Sequence, residues 1–322
     1  MRAERRTAGV IALALTAALA AGCSGTPGGP DKRATEVPAP SATASPPASA
    51  APADLTAAVQ GELAALEQTT GYRVGVHARD TGSGATVAYR ADERFGYAST
   101  LKALAAGEAL AGQPASVLDQ RLTVTADDVA GVGHAPVTGD AAGTDLTLGE
   151  LGAAAVTESD NGALNVLLRH LGGPDALQAA LAARGDTTTL VDADEPELNR
   201  FTPGDAARTS TPHALGEGLA TYALGDALDP AVRDTYVGWL TASTTGLDAI
   251  RAGTPEGWIV GDKTGTAGRY GSRNDLAVVW PPGREPIVLA VLTDHPDEGA
   301  EPDDAVLAAA ARVVLAAYAA TP

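Results

Sequence analysis

Phe95-Gly96-Tyr97-Ala98-Ser99-Thr100-Leu101-Lys102 is where the chain changes character. Before it lie two short segments of strand composition, Arg73 to Arg79 and Thr86 to Arg90. They are joined by Asp80-Thr81-Gly82-Ser83-Gly84, whose residues suit a hairpin turn. After it, from about Ser99 to Leu240, alanine- and leucine-rich stretches recur at helical spacing between Gly and Pro breaks, as in Leu148 to Val156, Ala163 to Leu171 and Pro174 to Arg184. Strand patterns return at Trp258 to Lys263, Leu276 to Trp280 and Ile287 to Leu292, and Asp303 to Ala319 reads as a closing helix. Near the start, Asp54 is placed to cap a helix carrying Leu55, Ala58, Val59, Leu63 and Leu66 on one face, with Gly71 ending it. Strands at both ends of a helical block predict an α/β chain of the α+β kind. One antiparallel sheet would be completed by both termini and flanked by the terminal helices (53–95 and 241–322), with 96–240 inserted as an all-helical lobe. A cleft between lobes is where a site is expected.

The same eight residues hold candidate chemistry. Ser99 follows an extended stretch and precedes the helical run Leu101 to Leu110, so it stands at a helix N-terminus with Lys102 one turn on. A spacing of three puts hydroxyl and amine on one face, close enough for the amine to take or orient the proton. Free N–H groups of a first helical turn also stabilise a developing oxyanion. Beyond the linker described below, Lys102 and Lys263 are the only lysines in a chain that otherwise uses arginine, and each stands beside hydroxyl residues. An ammonium loses its proton when desolvated and a guanidinium does not, which points to proton chemistry at both. Ser159-Asp160-Asn161 reads alone as a turn or N-cap, and Lys263-Thr264-Gly265-Thr266 alone as a solvated strand end or as a cation and hydroxyls offered along an edge strand to a carboxylate.

Bulk properties bound the function. At 322 residues, 45% hydrophobic and 19% charged, the chain buries one large core or two modest ones. A net charge of -18 disfavours nucleic acid and anionic lipid surfaces and favours a soluble monomer. The basic Met1 to Arg6, the apolar Ala8 to Ala21 and Leu19-Ala20-Ala21-Gly22-Cys23 form a signal-peptide layout over 1–22. It resembles a bacterial lipoprotein signal with Cys23 as the lipidated residue, although Leu19 stands one position further from the cysteine than usual. The expectation is an exported protein, lipid-anchored at the outer face of the cell membrane or secreted, touching membrane only through that anchor. Residues 23–52, rich in Pro, Ala, Ser, Thr and Gly, read as a tether before a domain spanning 53–322. Cys23 is the only cysteine, which excludes an intramolecular disulfide and thiol catalysis.

Taken together and in order, the Ser99, Ser159 and Lys263 motifs resemble those of the serine penicillin-recognising enzymes. Asp194-Glu195-Pro196-Glu197-Leu198-Asn199 resembles the Ω-loop of class A serine β-lactamases, and the spacings from Ser99 to Ser159, Glu195 and Lys263 agree with that family's layout. The resemblance covers about Leu55 to the C-terminus and implies a β-lactamase/transpeptidase-like fold that hydrolyses penicillin- and cephalosporin-type antibiotics, conferring resistance, without metal or cofactor. It implies that Ser99 is the nucleophile, that Lys102 and Glu195 share the proton work of acylation, and that Glu195, with Asn199, activates the deacylating water. Backbone N–H groups of Ser99 and Thr266 would form the oxyanion hole, and Ser159 would pass a proton to the lactam nitrogen. Asn161 would bind the substrate amide, Lys263, with Thr264 and Thr266 beside it, the substrate carboxylate, and Asn165 would brace the loop.

Three departures from the family pattern stand out. The Arg and Asp that often tie the Ω-loop are replaced by Ala193 and Arg208, so Arg208 is expected to pair instead with Asp192 or Asp194. His134 stands where an aromatic gatekeeper is common, and its imidazole is expected to pack on substrate there, the other reading being an ordinary surface histidine. Arg273 falls near, not on, the position of a carboxylate-binding arginine, with Ala249 in the alternative one, and is expected to take that role, the other reading being a structural salt bridge. A D-alanyl-D-alanine carboxypeptidase or transpeptidase shares the three-motif core but not the Glu195 to Asn199 element, and a non-turnover β-lactam-binding lipoprotein or sensor would need a disabled water site. No Gly-x-Ser-x-Gly surrounds Ser99, the five histidines lack zinc-site spacing, and Asp127-Asp128 and Asp303-Asp304 read as solvated helix starts.

Overall fold

The computed structural model describes residues 52–321. The proposed leader, Cys23 and nearly all of the tether lie outside the described residues. Helix α1 (Thr56–Thr70) ends at Gly71, whose φ of 80° closes the helix in the left-handed region. Asp54 acts one residue earlier than a cap, accepting the Thr56 N–H at 2.9 Å. Strands β1 (Arg73–Asp80) and β2 (Thr86–Tyr89) form the hairpin. The short β3 (Phe95–Gly96) leads through a 3-10 turn, Ala98–Thr100, into α2 (Leu101–Leu110). Next come β4 (Arg121–Thr123), α3 (Ala126–Val129), β5 (Asp145–Thr147), α4 (Leu148–Thr157), α5 (Asn161–Leu171) and α6 (Pro174–Ala183). A long loop with a 3-10 turn at Glu197–Asn199 reaches β6 (Thr209–Ser210), α7 (Pro212–Ala223), α8 (Pro230–Thr241) and α9 (Ile250–Gly253). The chain finishes with β7 (Ile259–Thr266), β8 (Arg273–Trp280), β9 (Ile287–Asp294) and α10 (Asp304–Ala319).

The main sheet runs β2-β1-β9-β8-β7 and every pairing is antiparallel, so N- and C-terminal segments share it and β7 is an edge. Its later strands are apolar without a polar alternation because both faces are covered. On β8 and β9, Leu276, Val278, Ala290 and Leu292 face the core shared with α2, α4, α5 and α7. Their neighbours Ala277, Val279, Leu289 and Val291 face α1 and α10, meeting Leu63, Leu307 and Val314. Each such Leu or Val, fully buried, stabilises by about 1.5–3 kcal/mol, so the two-sided pattern fixes the register of the strands.

Local signals set the helix starts. Thr125 with Asp128 and Thr147 with Glu150 make capping boxes at α3 and α4, and α6, α7 and α8 each open on proline. Asp128 corrects an expectation: it is buried, not solvated, and its carboxylate accepts from Thr125 N at 2.7 Å and Arg169 Nε at 3.0 Å. Asp304 likewise is not free, because it accepts from Arg273 Nε at 2.7 Å. Helix α7, within the stretch read as part of the helical insert, packs over β1, β8 and β9. Glu217 anchors it there, taking Arg79 Nε at 2.8 Å and Nη2 at 2.7 Å and lying 2.9 Å from His77 Nε2. Burial acts to raise the Glu217 carboxyl, but the bonds and charges of His77 and Arg79 outweigh it and hold it down at about 2.

Candidate active site

The turn at Ser99 is pinned from several sides. Ala98 takes a φ of 48° to swing the chain out of β3, and Thr100 Oγ1 donates to Tyr97 O at 2.6 Å. Asn274, on β8, donates from Nδ2 to Gly96 O at 2.7 Å and accepts Thr293 N at 3.1 Å, which ties the turn to the sheet. Strand β7 lies directly against it. A Cβ on Gly265 would stand 2.9 Å from Tyr97 O, 3.0 Å from Thr100 N and 3.1 Å from Ser99 N, so glycine is required for this approach.

Lys102 is completely buried, and its Nζ donates to Ser99 Oγ at 2.8 Å, Ser159 O at 3.0 Å and Asn161 Oδ1 at 2.6 Å. Those three oxygens use its three N–H groups. Glu195 Oε1 is also 3.0 Å from Nζ, off the preferred hydrogen-bond direction, and acts on Lys102 chiefly as a charge. Burial pushes the Lys102 amine down from the usual lysine range, and the Glu195 carboxylate offsets this only in part. Glu195 itself is buried and held by Asn165, which accepts its N–H at 2.9 Å and donates to its C=O at 3.1 Å. Asn199 Nδ2 donates to Glu195 Oε2 at 2.6 Å, which turns Asn199 Oδ1 the other way. Glu195 Oε1 and Asn199 Oδ1 are therefore two buried acceptors that receive no directed hydrogen bond among the described residues.

Across the cleft, Ser159 takes a φ of 58° ahead of α5, and Asp160 caps that helix by accepting Ala163 N at 2.8 Å. Asp160 also accepts Val137 N at 2.8 Å and Thr138 N at 2.9 Å, so the turn is tied to the facing loop. Lys263 lies inside β7, not beyond a strand end, and is as buried as Lys102. It donates to Ser159 Oγ at 2.9 Å and to Thr264 O at 2.7 Å. Burial drives its amine well down, and the charge of Lys102 adds to that. The Ser99 hydroxyl, two desolvated amines, the Ser159 hydroxyl and a carboxylate thus meet at a cleft of about 260 Å³.

Residues 57–318 match the β-lactamase enzyme family. A β-lactamase of Amycolatopsis lactamdurans is 50% identical over 260 residues, covering 81% of this chain and 85% of that protein. A carbapenem-hydrolysing β-lactamase of Klebsiella oxytoca is 48% identical over 263 residues, covering 81% and 89%. The crystal structure of a class A β-lactamase from Clostridium kluyveri superposes with a TM-score of 0.77 at 41% identity, covering 80% of this chain and 98% of that one. This chain belongs to the class A β-lactamase family.

Within this member of the β-lactamase family, the sequence-predicted residues Ser99, Ser159, Asn161, Asn199, Thr264, Thr266, Arg273 and His134 line one cleft, with Lys102, Glu195 and Lys263 buried behind it. Arg273 reaches the cleft but is already engaged, donating to Asp304 Oδ1 at 2.7 Å, Thr266 Oγ1 at 3.0 Å and Thr245 O at 3.0 Å. His134 stands at the rim with Nε2 2.9 Å from Glu158 O. Arg208 faces Asp192 with Nε 3.7 Å from Oδ1, an ion pair without a directed hydrogen bond. Three contributors were not singled out in the sequence. Thr245 lines the cleft with its hydroxyl 2.6 Å from Thr264 Oγ1, Asn274 holds the nucleophile turn, and Gly265 admits it. Gly265 carried a signal, since a glycine inside a strand marks a close approach; Thr245 and Asn274 carried none.

Proposed function

We propose that this β-lactamase hydrolyses the lactam amide of penicillin- and cephalosporin-type antibiotics through an ester on Ser99, and so confers resistance to them. Ser99 Oγ bonds to the lactam carbonyl carbon while its proton passes to the Lys102–Glu195 pair. Loss of a proton from Lys102 toward Glu195 turns the amine into an acceptor facing a hydroxyl 2.8 Å away, and burial of that amine supports this role. The C–N bond then breaks, with Ser159 giving its proton to the nitrogen and being resupplied through Lys263 or Lys102, whose Nζ atoms lie 2.9 Å and 3.4 Å from its hydroxyl. The N–H of Ser99, in the first turn ahead of α2, and that of Thr266 are the donors we assign to the oxyanion. Thr264, Thr266 and Arg273 are assigned to the substrate carboxylate, and Asn161 to the substrate amide.

One observation carries the reading of a turning-over enzyme: Glu195 Oε1 and Asn199 Oδ1 are buried acceptors that receive no directed hydrogen bond among the described residues, on side chains joined through Asn199 Nδ2 and Glu195 Oε2 at 2.6 Å, with Lys102 Nζ 3.0 Å from Glu195. They suit a water that donates to both: once Glu195 has returned its acylation proton to Lys102, the water oxygen bonds to the ester carbon and gives a proton to Glu195, the bond to Ser99 Oγ breaks, and that oxygen takes a proton from Lys102, which Glu195 then resupplies. We further propose that the protein is exported, anchored through a lipid on Cys23 or secreted, and monomeric, readings supported by the leader pattern and the acidic net charge of -18. The test is turnover of a chromogenic cephalosporin by the wild type and Glu195→Gln, with mass spectrometry of the adduct. Many turnovers by the wild type, and a stable adduct on Ser99 in the variant, are expected. A single stoichiometric burst from the wild type, or an adduct elsewhere, would overturn the reading.

A further inference from the structure

The loop that carries Glu195 and Asn199 is stitched at its base, where Thr189 Oγ1 lies 2.6 Å from Ser210 Oγ and Leu190 N donates to Thr209 O at 3.1 Å. Asn165 secures Glu195 from the helix behind it. The 3-10 turn Glu197–Asn199 is gripped from the loop's returning leg by Arg208, whose Nη1 donates to Glu197 O at 3.4 Å. Arg208 has a φ of 57°, and that left-handed turn aims its own carbonyl at Tyr97 N, 3.4 Å away and two residues before Ser99. One residue therefore touches the nucleophile turn through its backbone and the water-activating turn through its side chain.

We propose that Arg208 is a positioning residue for deacylation and that it works through the carbonyl of Glu197, not through its ion pair with Asp192. Both contacts lie at the exposed edge of the loop, but only the one to the carbonyl is a directed hydrogen bond. In the ion pair, Arg208 Nε is 3.7 Å from Asp192 Oδ1 with no directed bond, and the Asp192 side chain is 51% exposed, so solvent screens it. The carbonyl contact sits two residues from Asn199, whose amide holds Glu195 Oε2 at 2.6 Å. Letting that turn drift moves Asn199 against Glu195 and spoils the pair that places the water. Acylation uses Glu195 only as the acceptor of the Lys102 proton, 3.0 Å away, and its Ser99–Lys102–Ser159 contacts do not pass through the turn, whereas deacylation needs Glu195 and Asn199 together, so the larger effect falls on the second step.

The inference rests on the acyl-enzyme reading above, and the experiment separates the two. Arg208→Gly in the full-length protein removes the guanidinium while glycine keeps the left-handed φ at no steric cost. Asp192→Asn removes only the ion pair. Pre-steady-state acylation, steady-state kcat and the fraction of Ser99 esterified during turnover are measured for each. Arg208→Gly is expected to slow deacylation about tenfold and acylation less than threefold, so that the Ser99 ester accumulates, while Asp192→Asn stays within twofold of the wild type in both steps. Arg208→Lys, which keeps the charge on a stem with different donor geometry, gives an intermediate deacylation rate. Should Arg208→Gly not fold, Arg208→Lys against Asp192→Asn decides alone. Equal slowing by Asp192→Asn, an unchanged deacylation rate in the arginine variants, or equal loss of both steps would overturn the proposal. A wild type that turned over without an ester on Ser99 would instead overturn the reading beneath it.

Discussion

Gly265→Ala tests the geometry on which the nucleophile depends. The added methyl would stand 2.9–3.1 Å from Tyr97 O, Thr100 N and Ser99 N, all of them backbone atoms that no rotamer change can clear. Relief requires the Ser99 turn and β7 to separate by a few tenths of an ångström. Since a misplacement of about 1 Å costs on the order of a hundredfold in rate, half of that corresponds to about a tenfold loss of kcat/KM, and it falls on acylation because Ser99 N–H is the proposed oxyanion donor. Overpacking of about 1–3 kcal/mol lowers Tm by about 2–10 °C in a domain of this size. The assays are stopped-flow acylation with a chromogenic cephalosporin and a calorimetric melt. Gly238→Ala is the control, because a Cβ at that position in α8 meets nothing within 4 Å and helix propensity alone should raise stability by about 0.5–1 kcal/mol. If Gly265→Ala acylated within twofold of the wild type and melted at the same temperature, the argument from close approach would be wrong.

Two further predictions concern the shell around the site. Asn165→Ala leaves the buried N–H and C=O of Glu195 without their partner, which should cost about 2 kcal/mol or more and slow deacylation more than acylation; a melt and a burst experiment on one sample check both. For Glu217, the folded-state value of about 2 lies below the ordinary glutamate value of 4.5, so its stabilising contribution is complete above pH 4.5 and is lost as pH falls toward 2. The Tm advantage of the wild type over Glu217→Gln should therefore shrink over that acid window and stay flat above it. An advantage independent of pH between 2 and 5 would refute the assignment of the low value to the His77–Arg79 contacts.

Much of the fold was legible because its causes are local. The hairpin around Gly82 to Gly84, the helix ended by Gly71 and the apolar runs of β8 and β9 follow from turn chemistry, left-handed φ and burial pattern. The misreadings share one origin. Asp128 looks like a solvated first-turn acid until Arg169, 41 positions away, comes to lie against it, and Asp304 until Arg273 does. Arg273 was expected at the substrate carboxylate. The structure brings it to the cleft but gives it Asp304 and the Thr245 carbonyl as well, so any role toward substrate is shared with a structural one. The position of α7 over the sheet was equally hidden, because an amphipathic helix shows which of its faces is buried but not what covers it.

By itself, the sequence determined which groups were available and in what order: Ser99 three residues before Lys102, Asp160 ready to cap α5, the second lysine on a strand at the sheet's edge. Those are properties of short segments, set by helical spacing and capping chemistry. Tertiary structure alone decided their chemical state. Lys102 and Lys263 become desolvated amines, held below the usual lysine range, because helices and strands distant in sequence close over them and strip away water, and Glu195 gains its neighbours only when a loop folds back on Asn165. Desolvation is a sum over everything packed nearby, and no stretch of eight residues contains that sum.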